Sequence, residues 1–526
     1  MLKIKPQKLE SVNCFEGLII SYASWLNVNY ELMFADSWGF KFNDNSLAKN
    51  ITLGERINTY KSINWDYLNI YHGIKSEYHD NETSEDIIEI IKKQLSEGYP
   101  TIIFMDNYWY PWSSTYKKSS NGMFHAIMVT GLDEQRDSLY CTDYMFSKYN
   151  EIMQISDFKN CGSTSCLALS YNTPAREIID WRLILRNFII AIKRGTGTFE
   201  NMRRFSDEVI TSLDIIKEMN GYSDNIWVSP LISSLIEIKN SRVNVSKMFK
   251  YIEEKESVKG FLEINKKMKQ IEILWGSILG MVIKSYYSKQ SKDINKRIAI
   301  KIRQAADEEE ILIKIISIFL EDGSNGVLVN NIKHIEEPEF KRYEYIKYIE
   351  LRCYFNIKCF GDASNNKQIA DMSGVGYYLF IDECSKEEIW EVKNMKFRIS
   401  DVCIESNDSI SCLGQIIDVP KERFHSVMLL GTSDFGSFSE EMYVEYEDNT
   451  EQKILIKFSD HGLENNIFKE IVAWTGKCGF LGKPQGASTS HIYGKTYFLQ
   501  QDKIIKCLRL PNCSNIILYA ISLARL

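Results

Sequence analysis

Proline is scarce in this chain, with nine in 526 residues, and histidine scarcer still, with seven. Few prolines permit long unbroken helices, and few histidines leave little choice of an imidazole base. No Cys-x-x-Cys pair occurs among the twelve cysteines, so the usual zinc and thioredoxin spacings are missing. Twelve cysteines in so long a chain are also too sparse for a disulfide framework, and reduced, mostly buried thiols are expected. The longest apolar run, ILWGSILGMVI at 273–283, is far short of the roughly 20 residues a membrane span needs. The opening MLKIKPQKLE has no apolar stretch behind it for a signal peptidase. A cytoplasmic protein with no membrane partner is expected. Basic charge is not in excess either. Lys+Arg is 63 against 70 Asp+Glu, a net charge of -7, which gives no electrostatic reason to expect nucleic acid.

What is present is ordinary globular composition, 44% hydrophobic and 25% charged. At about 150 residues per domain the length suggests three or four domains. The first third mixes periods. Residues 14–26 and 84–95 have helical apolar spacing, and 101–105 (TIIFM), 125–131 (HAIMVTG) and 138–142 (SLYCT) read as strands. Thr173-Pro174 has the form of an N-cap followed by proline at the first helical position. It opens a helical region rich in Lys, Glu and Ile, with helices expected over 176–193, 205–219, 246–288 and 293–320. Beyond Pro338 the pattern alternates. YVEY-EDNTEQ-KILIKF at 443–458 is a hairpin, and 427–430 and 516–523 are further strands of a β-sandwich.

Cysteine catalysis needs a stabilised thiolate, a base to take its proton and a third group to orient that base. The first third supplies all three. Cys14 follows Asn13, a good N-cap, at the start of a helix whose N-terminus favours negative charge; Glu16 in the same turn works against it. The competing reading of Cys14 is an inert core thiol. His72 and His79 lie in the polar stretch YHGIKSEYHDNE and read as surface histidines; no spacing there supports a metal. His125 opens an apolar strand behind the segment 113–122, taken as a mobile loop, and Asp143 ends the next strand. An antiparallel pairing through the turn at 131–137 brings His125 and Asp143 to one edge. The order Cys, His, Asp is that of a papain-like site.

NCFEGLIISYASWLNVNYELMFADSWGFKFN resembles the start of the N-terminal domain typified by butirosin biosynthesis protein H. The family's Cys, its Glu after the first helix and its glycine/aromatic segment fall on Cys14, Glu31 and Gly39-Phe40-Lys41-Phe42. GYPTIIFMDNYWYPW and FHAIMVTGLDEQRDSLYCTD continue the likeness, which spans about residues 9–172. It implies a papain-like fold with a Cys14–His125–Asp143 triad. It also implies an acyltransferase of natural-product assembly, in which an acyl group passes from an acyl carrier protein's thioester to the amine of a small acceptor. The phosphopantetheine would arrive on the carrier, with no cofactor or metal of the chain's own. Papain-like enzymes often place an oxyanion-hole Gln six residues before the Cys; Gln7 is seven before and is not assigned, which favours the Cys14 backbone N–H. Asp106 and the aromatic run Tyr108 to Trp112, with Tyr108 and Trp109 foremost, either line an acyl or pantetheine channel or cover the core, with Asp106 organising the strand end. Lys117 and Lys118 either meet an acidic carrier or are simply solvated.

The last third resembles a galactose-binding-like sandwich, on YFN at 354–356, ADMSGVGYY from 370, GQIIDVP from 414, LLGTSDFGS from 429 and FSDHG from 458. No aromatic sugar platform is evident, so sugar binding is not carried over. The expected architecture is α+β and multidomain: a papain-like catalytic domain over 1–172, a helical domain over 173–337 and a β-sandwich over 338–526. The same triad would serve a peptidase or thioesterase, and a degenerate one would leave a carrier- or glycan-binding scaffold. Homo-oligomerisation is left open.

Overall fold

A computed structural model describes residues 1–44, 51–59, 63–118, 124–194, 197–258, 261–288, 293–321, 343–361, 370–380, 389–399, 406–480 and 488–526. The expected boundary near Pro338, residues 119–122 of the 113–122 segment, Cys384 and Cys403 lie outside them. The ten described cysteines are free thiols.

The first third begins with helix α1 (Cys14–Leu26), closed by Asn27 in the left-handed conformation. A short ladder of β1 (Lys41–Phe42) and β2 (Ile57–Asn58) follows, then α2 (Trp65–His72), β3 (Ile74–His79) and α3 (Ser84–Ser96). Then come β4 (Thr101–Asp106), β5 (Phe124–Asp133), β6 (Ser138–Asp143), β7 (Lys148–Gln154), α4 (Ile155–Asn160) and β8 (Cys166–Tyr171). Six of these strands form one antiparallel sheet in the order β3-β8-β4-β5-β6-β7. Ile102, Ala126 and Met128 share an apolar core with Leu18, Ile19 and Tyr22 of α1, while Ile103, Ile127 and Val129 share another with Ile87 and Ile91 of α3. The alternation of the strands thus feeds two cores.

The polar stretch around His72 and His79 departs from expectation. His72 is buried at the end of α2, with its ring 5.6 Å from that of Tyr251. Burial, with the nearby Lys255 charge, holds it down to about 4. The residues after it form β3, which among the described strands lies at the sheet edge and pairs with β8, and one-sided pairing tolerates the polar side chains that hid it.

The middle of the chain is helical: α5 (Trp181–Lys193), α6 (Thr198–Ser212), α7 (Ile215–Glu218), α8 (Pro230–Glu256), α9 (Phe261–Ser288) and α10 (Asp293–Glu321). The helix expected from Pro174 starts instead at Trp181, where the Asp180 carboxylate accepts the Leu183 N–H. Before that the chain is tied to α2 and β3 by Asn172 N–H to Gly73 and Arg176 N–H to Ile70. The expected helix over 205–219 ends at Ser212, and Asp214 caps α7 separately. The expected helix over 246–288 is two. Proline at the first position starts α8 at 230, and left-handed Ser257 (φ 51°, ψ 36°) ends it, so α9 folds back and Phe261 meets Phe249 at 6.1 Å.

The last third is a β-sandwich. Its larger, eight-stranded sheet centres on Ser426–Ser433, flanked by Ser488–Phe498 and Asn512–Arg525. The smaller sheet runs Ile416–Asp418, Ile505–Arg509, Phe438–Tyr446, Glu451–Phe458. The hairpin at 438–458 pairs Glu445 with Glu451 and turns through left-handed Asn449. Helix α9 packs onto the sandwich turn at 434–437. Ser277 donates to the Ser437 carbonyl (3.0 Å), and Lys284 Nζ reaches the buried Asp434 carboxylate (2.6 Å). Gly280 is required there, since a Cβ would stand 2.1 Å from the Phe435 carbonyl oxygen. Among the described residues no helix is long and apolar enough to cross a membrane.

Candidate active site

Asn13 starts α1. Its Oδ1 accepts the Glu16 N–H (2.8 Å) and the Glu16 carboxylate accepts the Asn13 N–H (3.0 Å), a complete capping box. This leaves Cys14 at the first helical position and draws the Glu16 charge onto the cap. On the neighbouring sheet, β5 and β6 pair Val129 with Cys141 and Met128 with Thr142. Past that last pair Asp143 reaches across, and its Oδ1 lies 3.0 Å from His125 Nε2. The two side chains are 0% and 6% exposed. Cys14 lies beside His125, close enough for the two side chains to shift each other's ionisation. With Nε2 engaged by Asp143, Nδ1 is the ring nitrogen left for the sulfur.

Asp143 is fully engaged. Its Oδ1 also accepts the Phe146 N–H (3.1 Å), and its Oδ2 accepts the Trp112 indole N–H (2.9 Å). The Tyr110 ring stands edge-on to His125 at 5.4 Å, and its hydroxyl bonds to the Met105 (2.7 Å) and His125 (2.8 Å) carbonyls. Trp112 stacks on Tyr110 at 5.6 Å, and the Phe146 ring meets His125 at 5.9 Å. The imidazole therefore has little rotational freedom.

Electrostatics follow from these contacts. Burial pushes the Cys14 thiol up. The His125 hydrogen bond and charge, with the Ala126 and Phe15 backbone N–H groups, outweigh it, and the thiol lies below its ordinary value. Burial pushes His125 down, but the bonds and charges of Asp143 and Cys14 raise it to about 9. With the thiol lowered and the imidazole raised, the pair favours thiolate beside imidazolium over thiol beside neutral imidazole.

The structure brings Cys14, His125 and Asp143 together. Asp106 caps a 3-10 turn (Asn107–Trp109), its Oδ1 accepting the Tyr108 N–H at 2.7 Å. Tyr108 and Trp109 pack edge to face at 5.0 Å, and Trp109 also packs on the core beneath α3. The side chains from this aromatic stretch that touch the His125–Asp143 pair are Tyr110 and Trp112. In the sequence both stand in the same aromatic run as Tyr108 and Trp109, with nothing to separate them. Their signal is position, directly after the strand that pairs with the His125 strand. Phe146, three residues past Asp143, carried no such signal.

The described part of the 113–122 segment is tied down. Lys117 N–H bonds to the Tyr108 carbonyl (2.8 Å), and Lys117 Nζ (2.7 Å) and the Tyr116 hydroxyl (2.6 Å) bind buried Asp157. Lys117 is thus paired within the fold. Gln7 is exposed, and its N–H goes to Ser21 Oγ (3.0 Å). Glu31 accepts the Tyr30 N–H (3.0 Å), and Phe40 and Phe42 are buried against Phe205. A cavity of about 960 Å³, lined by Asp36, Asp66, Tyr67, Arg194 and Asn201 among others, lies outside the Cys14 site. Among the described residues no group of three His, Cys, Asp or Glu side chains is placed to hold a metal.

A family model described as the AziU2-like beta-sandwich domain matches residues 345–526, in keeping with the sandwich seen there. No curated protein matches the chain.

Proposed function

We propose that the chain is a cysteine-dependent acyltransferase that takes an acyl group from a carrier-protein thioester and passes it to an amine. The observation that carries this reading is the buried His125–Asp143 hydrogen bond set beside Cys14 at the start of α1, with the thiol and the imidazole coupled in their ionisation. The likeness of residues 9–172 to the butirosin biosynthesis protein H domain supplies the reaction class, and a papain-like fold belongs to the same proposal. It is supported by a cysteine at a helix N-terminus facing a histidine on an antiparallel sheet.

The Cys14 thiolate attacks the thioester carbonyl and forms a new C–S bond. The tetrahedral oxyanion is met by N–H groups of the first turn of α1, that of Cys14 foremost. Collapse breaks the bond to the pantetheine sulfur, which leaves with the proton from His125. The amine then attacks the acyl-Cys14 carbonyl, neutral His125 takes its proton, and the Cys14 thiolate departs, restoring the ion pair. Asp143 holds the imidazole by Nε2 throughout. Water in place of the amine would give a peptidase or thioesterase. For the sandwich, including any galactose-binding-like kinship, we infer a structural part, because its 434–437 turn is committed to α9.

Incubation of the full chain with an acylated carrier protein, followed by intact mass measurement, is expected to show one acyl group on the protein, absent in Cys14→Ala. Turnover that rises with added amine identifies transfer, and turnover without it identifies hydrolysis. A charged carrier that leaves the wild type unmodified contradicts both enzymatic readings and favours a scaffold.

A further inference from the structure

The chain before α1 is a pinned track rather than a loose tail. The Leu2 N–H bonds to the Thr130 carbonyl (2.7 Å), and the Ile4 carbonyl accepts the Thr142 hydroxyl (2.8 Å), with the Ile4 side chain wholly buried. The Gln7 N–H goes to Ser21 Oγ on α1 (3.0 Å). The Tyr144 hydroxyl clasps Leu9, accepting its N–H (2.9 Å) and donating to its carbonyl (2.7 Å). The Tyr144 ring lies against Gly17, where a Cβ would come within 2.3 Å of it. Lys247 of α8 donates to the Glu10 carbonyl (2.9 Å) and to Ser11 Oγ (3.0 Å). These anchors stand beside the site. Thr142 and Tyr144 flank Asp143, and one tyrosine side chain spans from Leu9 to the first turn of the helix that Cys14 begins.

What the track shows to water is positive. Ile4 points inward, while Lys3, Lys5 and Lys8 are exposed. Lys5 lies over the Tyr149 ring of β7 (5.8 Å), and among the described residues none of the three lysines has a carboxylate partner. Residues 1–13 carry these lysines against one acid, Glu10, in a chain whose net charge is -7. Lys247 adds its ammonium group where the track reaches Ser11. Scattered surface lysines are simply solvated. These are held in line by buried anchors, and the line ends at an activated thiol.

Resting on the acyl-transfer reading, we propose that the Lys3–Lys5–Lys8 track is the docking surface for the donor carrier protein, which meets it with an acidic face and so brings its thioester to Cys14. Opposite charges on such a rim speed the encounter and set its orientation, and salt screens the gain.

The test uses the full chain with one acyl group on two donors: an acyl carrier protein of net negative charge bearing acetyl-phosphopantetheine, and the S-acetyl thioester of N-acetylcysteamine. Acyl-Cys14 is followed by intact mass. At low salt the second-order rate from the carrier is expected to exceed that from the small thioester by about tenfold or more, and to lose most of that lead in about 0.5 M salt. The triple variant Lys3→Glu, Lys5→Glu, Lys8→Glu is expected to cut the carrier rate about tenfold and to leave the small-thioester rate within about twofold, which also shows that the variant is folded. A carrier with no lead, a carrier rate equal in wild type and variant, or a loss shared by both donors overturns the docking surface and leaves the Cys14 reading standing. Acylation by neither donor overturns the acyl-transfer reading and the docking with it.

Discussion

Burial and charge compete at the two ionising residues of the site, and charge wins at both. His125, sealed from water, would be neutral at pH 7 were it not for Asp143 and the thiolate; they hold it protonated to about 9. Being raised, it contributes stability that is whole below its unfolded value of about 6.5 and is lost as pH rises through about 9. The acylation rate is expected to fall across the same alkaline limb, as the leaving thiolate loses its proton donor. Asp143→Asn keeps an acceptor oxygen but removes the charge, and should move that limb toward acid by about one unit or more, read from the pH–rate profile of acyl-Cys14 formation. Trp112→Phe keeps an aromatic ring beside Tyr110 but leaves Asp143 Oδ2 short of a donor. A loss of about 1–3 kcal/mol of stability is expected by denaturant unfolding. Cys14, His125 and Asp143 were legible because each stands at the end of an element, beside a cap, a strand start or a strand end. Trp112 and Phe146 were not, because their contacts depend on where two loops cross.

Elements with their signals in local sequence came out near their expected bounds. Helix α1 has its cap at Asn13, α3 has Thr83, and the hairpin at 438–458 has its Asp-Asn turn. Elements governed by packing did not. A run of helix formers from 246 to 288 hides the left-handed Ser257, which is favoured because α8 and α9 bury more apolar surface folded against each other than in line. The Gly17–Tyr144 contact has the same character: glycine in an amphipathic helix looks like a weak point and is a seat for a ring. Gly17→Ala forces the ring outward, and with it the turn that carries Asp143 and Phe146. We expect a stability loss of about 1–3 kcal/mol in chemical denaturation, together with slower acylation of Cys14. Unchanged acylation would show that the turn can move without disturbing His125.

Across the whole molecule, the helical part supports the approach to the site. Asn244 on α8, fully buried, donates to the Ser11 carbonyl (2.8 Å) and accepts from Ser11 Oγ (2.9 Å). Ser11 is left-handed and lies two residues before the cap of α1, so α8 fixes the approach to Cys14. Nearby, Arg242 and Glu309, both 0% exposed, form a two-pronged pair, and Trp38 and Trp275 donate to the same carboxylate (2.8 and 2.6 Å). Arg242→Met strands that carboxylate and should cost about 3–5 kcal/mol in denaturant unfolding. The helical and sandwich classes were readable from period alone; their closure over a core shared with the first third was not, since no local pattern records a contact between Ser11 and Asn244. If His125 makes Cys14 a thiolate, carboxymethylation of Cys14 by iodoacetate across pH, followed in the Cys14 peptide of the full chain, reports it. The wild-type midpoint is expected below the usual thiol value of about 8.5, and in His125→Ala, with burial unopposed by the imidazole, at or above it. A midpoint shared by both proteins, or a wild-type midpoint at the ordinary value, would mean that His125 does not ionise Cys14.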